Sequence, residues 1–160
     1  MDSADFRHHT TGPVVSINTP FLRNDDLDYQ GLRNLIEFTI DAGVRTILYT
    51  PGDSLYAVLT EAEIAELTAF TARVIDKRAM FIAGAGIWST RQAAAFGRYA
   101  SEAGADAMIV APAERQMTVE ELVTYYRTVS DTIPCFILSA GLASVGLQGA
   151  LKTVEILVDK

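Results

Sequence analysis

Hydrophobic residues fall into five short runs along the chain, and no run contains a charged side chain. Each run is nearly continuous in apolar character, which is typical of a strand buried on both faces of a parallel sheet. The sequence therefore predicts five strands, at Val14–Ile17, Thr46–Tyr49, Met80–Ala83, Ala107–Val110 and Cys135–Leu138.

Amphipathic helical patterns follow the runs. Apolar residues recur at spacings of three and four, which places them on one face of a helix. These stripes are Leu32, Leu35, Ile36, Ile40; Ile64, Leu67, Thr71, Val74; Ala93, Phe96, Ala100, Ala103; Val119, Leu122, Val123, Tyr126; and Leu147, Leu151, Val154, Val158.

Polar signals mark where several of the helices begin and end. Three capping boxes, in which a hydroxyl residue precedes Glu or Gln by three positions, predict helix starts. They are Thr60 with Glu63, Ser89 with Gln92, and Thr118 with Glu121. Gly43 and Gly104 each follow an acid–alanine pair, and a glycine at such a place ends a helix through a left-handed residue.

The order is therefore five β/α units, which implies parallel strands joined by right-handed crossovers. An open doubly wound sheet and part of a closed barrel both suit this order. The open sheet would usually show a phosphate loop after strand one, but Asn18–Phe21 contains no glycine-rich fingerprint. The Gly84-Ala85-Gly86 segment lacks the third glycine of that motif. The pattern favours a partial (β/α)8 barrel, with strands in the order 1-2-3-4-5 and helices on one outer side.

Chemistry in such a fold lies at the carboxyl ends of the strands. The segment Thr50-Pro51-Gly52-Asp53-Ser54 places hydroxyls, a carboxylate and a glycine directly after strand two. Hydroxyls and backbone amides there can hold a small carboxylate or relay a proton. The same residues also suit a plain turn, so both interpretations stay open. Ser139 offers one hydroxyl after strand five.

Composition narrows the function classes. The 160 residues carry a net charge of −7 and no basic stripe, so we expect no nucleic-acid partner. Cys135 is the one cysteine, so the chain cannot form an internal disulfide. Its place inside an apolar run indicates a packing residue of the core. We expect a protein of the reducing cytoplasm. No histidine follows a strand and no metal-ligand cluster appears, so we expect neither a catalytic triad nor a metal or other cofactor.

The chain shows no sequence signal for targeting to a membrane. Met1–Thr11 lacks an apolar segment and is predicted to be a flexible leader, with His8 and His9 inside it, ahead of a domain over residues 12–160. No run of apolar residues reaches the roughly 18 that a membrane helix needs. We therefore expect no membrane partner.

Several segments, in order, resemble the dihydrodipicolinate synthase and N-acetylneuraminate lyase family. The Thr50-x-Gly52-Asp53 segment resembles the family's G-(T/S)-T-G-E loop, and Leu59-Thr60-Glu61-x-Glu63 resembles its L-(T/S)-x-x-E helix start. Further matches are Thr19-Pro20-Phe21, Asp28, Gly43-Val44, Ala83-Gly84-Ala85-Gly86 with Thr90, Gly104-Ala105-Asp106, Pro112 and Ile133-Pro134.

The resemblance implies a (β/α)8 barrel, usually in a homotetramer, and a class I aldolase or lyase acting on pyruvate or a related 2-oxo acid. In that family a lysine forms a Schiff base with the keto carbon, while a tyrosine relays protons with help from a threonine. Carried onto this chain, the resemblance implies Thr50 as a catalytic residue, and Thr50, Gly52, Asp53 and Ser139 as substrate-binding residues.

The chain also departs from the family pattern. The Schiff-base lysine belongs on strand six, beyond the five units seen here, and Lys160 is not its match. Leu138 stands in the place of the strand-five tyrosine, and Ala113 and Glu114 replace aromatic residues after strand four. Asp53 replaces a glutamate, and Pro51 has no backbone N–H to offer a substrate carboxylate.

Three hypotheses follow. The favoured one is an N-terminal fragment of a Schiff-base aldolase or lyase, inactive by itself because the nucleophile's strand is absent. The alternative is a non-catalytic barrel derived from the family that binds a small acid or serves in assembly. An independent open-sheet protein is the third. Under the first two, unpaired edges predict a homo-oligomer or a poorly stable chain.

Overall fold

The structure is a computed structural model, and it describes residues 10, 12–86, 88–113 and 116–158. Its five strands are β1 (Val14–Ser16), β2 (Thr46–Leu48), β3 (Met80–Gly84), β4 (Ala107–Val110) and β5 (Cys135–Ile137). Its α-helices are α1 (Tyr29–Asp41), α2 (Glu61–Ile75), α3 (Thr90–Ala103), α4 (Val119–Ser130) and α5 (Gly146–Val158). Two 3-10 helices, Tyr56–Val58 and Ser139–Val145, precede α2 and α5.

The strands form one parallel sheet in the order β1-β2-β3-β4-β5. Each strand pairs with its neighbour in sequence, for example through Ile47 with Phe81 and Met108 with Cys135. Each helix packs against the next one along the chain, which keeps the helices on the same side of the sheet. This confirms the predicted five β/α units of a partial (β/α)8 barrel.

Alternate residues of each strand face opposite sides of the sheet. The helix-facing residues, such as Ile47, Phe81 and Met108, join the side chains of the helices in one large buried cluster. The opposite, inner face carries a second, smaller cluster, built from Met80, Ile82 and Ala107 with partly buried residues around it. The main core therefore lies between the sheet and its helices.

All three predicted capping boxes are present. The hydroxyls of Thr60, Ser89 and Thr118 each accept a hydrogen bond from the backbone N–H three residues later. In each box the side chain of that third residue accepts in return from the backbone N–H of the capping residue. Gly43 and Gly104 have φ angles of 85° and 106°, in the left-handed region that favours glycine.

The sheet ladder explains small differences from the predicted strand bounds. Ile17 and Leu138 lie just outside the regular strands, yet their N–H groups still donate to the neighbouring strands' carbonyls, at Leu48 and Val110. Gly84 adds one residue to β3, where its bare Cα packs against the side chains of Tyr49 and Tyr56.

The last described part of the chain is a long helical stretch. Ser139–Val145 and α5 join into 20 residues with a mean hydropathy of 1.2. Gln148, Lys152 and Glu155 interrupt its apolar positions, so it contains no continuous apolar run of membrane length. Length and composition alone are weak evidence for a membrane span. Of the predicted leader, Met1–Thr11, all but Thr10 lies outside the described residues.

Tyr126 supplies a test of the core. Its side chain is buried, and its hydroxyl has no hydrogen-bond partner among the described residues. Burial raises the pKa of this phenol to about 12. Because a buried hydroxyl without a partner is costly, we expect Tyr126→Phe to stabilise the chain at pH 7 by about 1 kcal/mol. Tyr49→Phe is the matched control, since it removes a 2.7 Å hydrogen bond to Thr71 and should destabilise the chain.

The same substitution has a signature at high pH. Below pH 10 the Tyr126 phenol is protonated in both states, so it adds no pH dependence. Between about pH 10 and pH 12 the unfolded chain loses a proton that the folded chain keeps, and stability falls by up to about 1.4 kcal/mol per pH unit. Urea unfolding over this range should give a shallower decline for Tyr126→Phe. An unchanged slope would contradict the assignment.

Candidate functional site

A cluster of hydroxyl side chains lies where β1 and β2 end. Thr50 follows β2 by two residues, and the alternation of side chains places it on the inner face with Leu48. Ser16, which pairs with Leu48 in the sheet, faces the same way. The Ser16 Oγ and Thr50 Oγ1 atoms are 3.5 Å apart. Two hydroxyls from neighbouring strands therefore meet at the inner, carboxyl end of the sheet.

Ser54 ties the loops after β1 and β2 together. Its side chain is fully buried, and its Oγ donates to the Ile17 carbonyl oxygen at 2.7 Å. Ser54 Oγ also accepts a hydrogen bond from the Thr50 backbone N–H at 3.0 Å. In return, the buried Thr19 hydroxyl donates to the Ser54 carbonyl oxygen at 2.6 Å. These three bonds hold Thr50 at a set position relative to the end of β1.

The Thr50–Ser54 segment is itself a turn. The Ser54 N–H donates to the Thr50 carbonyl oxygen, and the Asp53 N–H donates to Thr50 Oγ1 at 3.1 Å. Since Oγ1 accepts from Asp53, its own proton can point either to Ser16 Oγ or to a ligand on the inner face. The plain turn and the ligand loop are thus compatible, because the turn geometry orients the threonine hydroxyl.

Gly52 and Asp53 lie on the exposed side of this turn. A Cβ on Gly52 would meet no atom within 4 Å, so open space surrounds this glycine. The Asp53 residue is exposed. Their predicted role in shaping a substrate pocket stays a prediction, since these positions border the loop's open side.

Ser139 is separate from this cluster. It begins the 3-10 helix after β5 and is exposed, whereas Thr50 follows β2 with two strands, β3 and β4, lying between. In the part of the chain that the structure describes, no hydrogen bond joins Ser139 to Thr50 or Ser54. The predicted site residues therefore fall into two places, one beside β1 and β2 and the other beyond β5.

The tyrosines near the strand ends lie on the helix side of the sheet. Tyr49 and Tyr56 belong to the main core, and burial raises the pKa of both phenols well above the ordinary value. Tyr125 is also buried, and its hydroxyl donates to the Ala111 carbonyl oxygen at 3.0 Å. None of these three faces the inner side where Thr50 lies, so none replaces a proton-relaying tyrosine there.

Cys135 is not a reactive thiol, and the acidic residues described do not form a metal-binding cluster. Burial raises the pKa of the Cys135 thiol to about 12, which keeps it a neutral thiol near pH 7. This agrees with its interpretation as a packing residue on the helix side of β5. Among the described residues, no three His, Cys, Asp or Glu side chains come together in a way that would hold a metal ion.

Three members of the cluster were missed as site residues by the sequence analysis: Ser16, Thr19 and Ser54. In the sequence, Ser54 stood among the hydroxyls of the Thr50–Ser54 segment and Thr19 among the family matches, but neither was named as a site residue, and Ser16 was not singled out. Their partners lie 34 to 37 residues away along the chain. The sequence feature that could have found this pair is the alternation of side chains along a strand, which places Ser16 and Thr50 on the same face of adjacent strands.

Comparison with known proteins identifies related sequences. The profile of the Dihydrodipicolinate synthetase family matches residues 9–140. The 4-hydroxy-tetrahydrodipicolinate synthase of Syntrophus aciditrophicus is 36% identical over 136 residues, which covers 83% of this chain and 46% of that protein. The corresponding protein of a Psychrobacter species is 32% identical over 161 residues, covering 98% of this chain and 52% of that one.

Solved structures of dihydrodipicolinate synthases also resemble this chain. Dihydrodipicolinate synthase from Oceanobacillus iheyensis superposes with a TM-score of 0.78 at 26% identity, covering 85% of this chain and 46% of that one. The chloride-inhibited dihydrodipicolinate synthase from Acinetobacter baumannii, complexed with pyruvate, superposes with a TM-score of 0.73 at 29% identity. The match covers 79% of this chain and 44% of that one. The chain thus spans about half the length of the relatives that it matches.

Ser54→Ala tests the tie between the two loops. The substitution removes the bond to Ile17 and leaves the Thr50 N–H without its acceptor, so we expect a loss of stability of about 1–3 kcal/mol. Ser139→Ala is the matched control. It is exposed and should change stability by less than about 0.5 kcal/mol. Equal effects of the two variants in urea unfolding would show that Ser54 does not hold the loops.

Proposed function

We propose a function for a chain that belongs to the dihydrodipicolinate synthetase family: it forms the first five β/α units of a Schiff-base aldolase or lyase acting on pyruvate or a related 2-oxo acid. In this proposal the chain supplies the loop that holds the keto acid's carboxylate. The lysine that forms the imine comes from a sixth strand. The observation that carries the proposal is the Thr50 hydroxyl, held on the inner face at the end of β2.

In this proposal the residues of the chain bind the keto acid and do not form the imine with it. A 2-oxo acid placed at the inner, carboxyl end of β2 meets the hydroxyls of Thr50 and Ser16. Thr50 Oγ1 donates its proton to the substrate carboxylate or passes a proton, while one of its two lone pairs accepts from the Asp53 N–H. Pro51 offers no N–H at the next position, so side-chain hydroxyls take a larger share of carboxylate binding.

The lysines of this chain do not replace the missing nucleophile. Lys77 follows α2, at the opposite end of the sheet, where its Nζ donates to the Gly104 carbonyl oxygen and lies 2.7 Å from Asp106. Lys152 lies on α5, outside the sheet. An imine-forming lysine must reach the keto carbon beside Thr50, and neither side chain starts from that end of a strand. We infer that the 160 residues alone do not form the imine.

Carbon–carbon bond chemistry in the longer protein also needs a proton relay. Leu138, in the place of the family's tyrosine, has no acidic proton, and the described tyrosines nearby pack on the helix side. Relay would then fall to Thr50, to Ser16 or to water. This supports slow turnover, or a substrate other than that of the synthases.

A second candidate function is a non-catalytic barrel that binds a small acid. One departure and one retained residue favour it: Leu138 removes the relay, while the Thr50 hydroxyl, which binding needs, is retained and well positioned. The two functions differ in one measurable respect. A binding protein holds pyruvate non-covalently, whereas a Schiff-base aldolase or lyase forms a covalent imine with it, with loss of water. In either case we propose a homo-oligomer in the cytoplasm, as for the family.

Borohydride trapping separates these functions. A longer protein that carries the strand-six lysine should give a stoichiometric adduct when pyruvate is added with borohydride, because imine formation needs only an amine and a bound keto acid. Under the same conditions the 160-residue chain should give none. Intact-mass spectrometry followed by peptide mapping makes the measurement. A stoichiometric adduct on Lys77 or Lys152 would overturn the proposal that this chain lacks the nucleophile.

The role of Thr50 is tested in the same longer protein. Thr50→Val keeps the shape and removes the hydroxyl, so we expect kcat/KM to fall by about 10²-fold or more. Thr60→Val is the control, because Thr60 caps α2 and lies outside the inner face. If Thr50→Val lost no more activity than Thr60→Val, the ligand loop would have been assigned wrongly.

A further inference from the structure

We propose that the site takes a 2-oxo acid whose tail is apolar and uncharged, and that Ile109, Phe136 and Leu138 are the residues that select this tail. The tail is the group joined to carbon 3 of the acid, which the carbon–carbon bond reaction adds or removes. The proposal rests on the proposed function, in which the acid's carboxylate meets the hydroxyls of Thr50 and Ser16. The tail then lies across β4 and β5.

Pairing between the strands shows which side chains share the inner face with Thr50. Ile109 pairs with Phe136, and both pack against the smaller, inner cluster. Leu138 lies two residues beyond Phe136, and its N–H donates to the Val110 carbonyl oxygen, which extends the pairing of β5 with β4. Alternation therefore turns Leu138 to the same face as Phe136. Ile109, Phe136 and Leu138 are only partly buried, so they present apolar surface to the inner side.

The inner face has a polar half and an apolar half. Its two neighbouring hydroxyls, on Ser16 and Thr50, belong to β1 and to the end of β2. Gly84, which has no side chain, ends β3, and the apolar residues of β4 and β5 follow. The five described strands contain no charged residue. A charged group on the tail would therefore lie against β4 and β5 without a partner from the strands, which is costly.

The distances suit a tail of about three carbons. Neighbouring strands lie about 4.8 Å apart, so β5 is about 14 Å from β2 along the sheet. A six-carbon 2-oxo acid is roughly 6 Å long. A hydrogen bond of about 2.8 Å at its carboxylate and an apolar contact of about 4 Å at its other end extend its reach to about 13 Å. Such an acid can contact Thr50 and the apolar residues of β4 and β5 at the same time.

Two acids of similar size test the selection. Both 4-methyl-2-oxopentanoate and 2-oxoglutarate carry the keto acid group, but the first ends in a branched apolar tail and the second in a carboxylate. In the longer protein with the strand-six lysine, borohydride trapping should reach half-saturation at an about tenfold or more lower concentration of the apolar acid. Equilibrium dialysis with the 160-residue chain should give the same order of affinity without a covalent step.

Substitutions at Leu138 test which residues select the tail. Leu138→Arg should reverse the preference, because a guanidinium there would pair with the second carboxylate of 2-oxoglutarate. Leu138→Met keeps the apolar surface and should keep the preference. Phe38→Arg is the matched charge control, since Phe38 is 72% exposed on α1, outside the sheet, and it should change nothing. Should the arginine variant not fold, Leu138→Gln takes its place and should lose most of the preference.

The outcomes separate this inference from the proposed function. A pyruvate adduct together with equal trapping of the two acids, or with a preference for 2-oxoglutarate, would overturn the selection and leave the proposed function standing. Absence of a pyruvate adduct would overturn the proposed function, and dialysis would then decide alone: tighter binding of the apolar acid supports the selection, while equal binding or none refutes it. A preference that survives both Leu138→Arg and Leu138→Gln would show that Leu138 only packs the interior.

Discussion

The alternation of side chains along each parallel strand governs this structure. A residue that faces the helices is followed by one that faces the inner side, so every strand must satisfy two different surroundings at once. The helix side is complete: Ile47, Phe81 and Met108 are fully enclosed by five helices that follow one another around the sheet. On the inner side, Met80, Ile82 and Ala107 are buried, whereas Leu48 and Ile109 are only partly buried. Both the stability and the function of the chain depend on that difference.

The candidate site follows from the same constraint. Counting along β2 from Leu48 puts Thr50 on the inner face, and counting along β1 puts Ser16 beside it. Direction alone would leave a loop residue free to move. Ser54 removes that freedom, because its buried hydroxyl bonds to the ends of both strands at once. The rigid sheet edge and the bound loop together hold Thr50 where a keto acid would meet it.

Features set by neighbours in sequence were predicted well. Strand runs, three capping boxes and the glycine helix ends depend on a few adjacent residues, and all are present in the structure. The sheet order followed from regular alternation and short connections. Features that join distant residues were not predicted. The bond from Ser54 to Ile17 spans 37 positions, and no local pattern marks it.

Ser139 and α5 show the same limit. Ser139 was grouped with Thr50 because both follow strands. The predicted strand order already placed β3 and β4 between them, but no local pattern showed that Ser139 is exposed. The stripe on α5 was recognised as an apolar face, yet the sequence gives no sign that this face is left uncovered. Its four side chains are 39% to 74% exposed, and only Thr153 of this helix is buried.

The incomplete barrel is tested most directly by amide hydrogen exchange, measured residue by residue on the 160-residue chain. Six residues of α2 are buried, against one of α5, so the account predicts slow exchange in α2 and β3 and much faster exchange in α5. Exchange in α5 as slow as in α2 would contradict the account, because it would mean that the last unit is already covered and that no part of the barrel is missing.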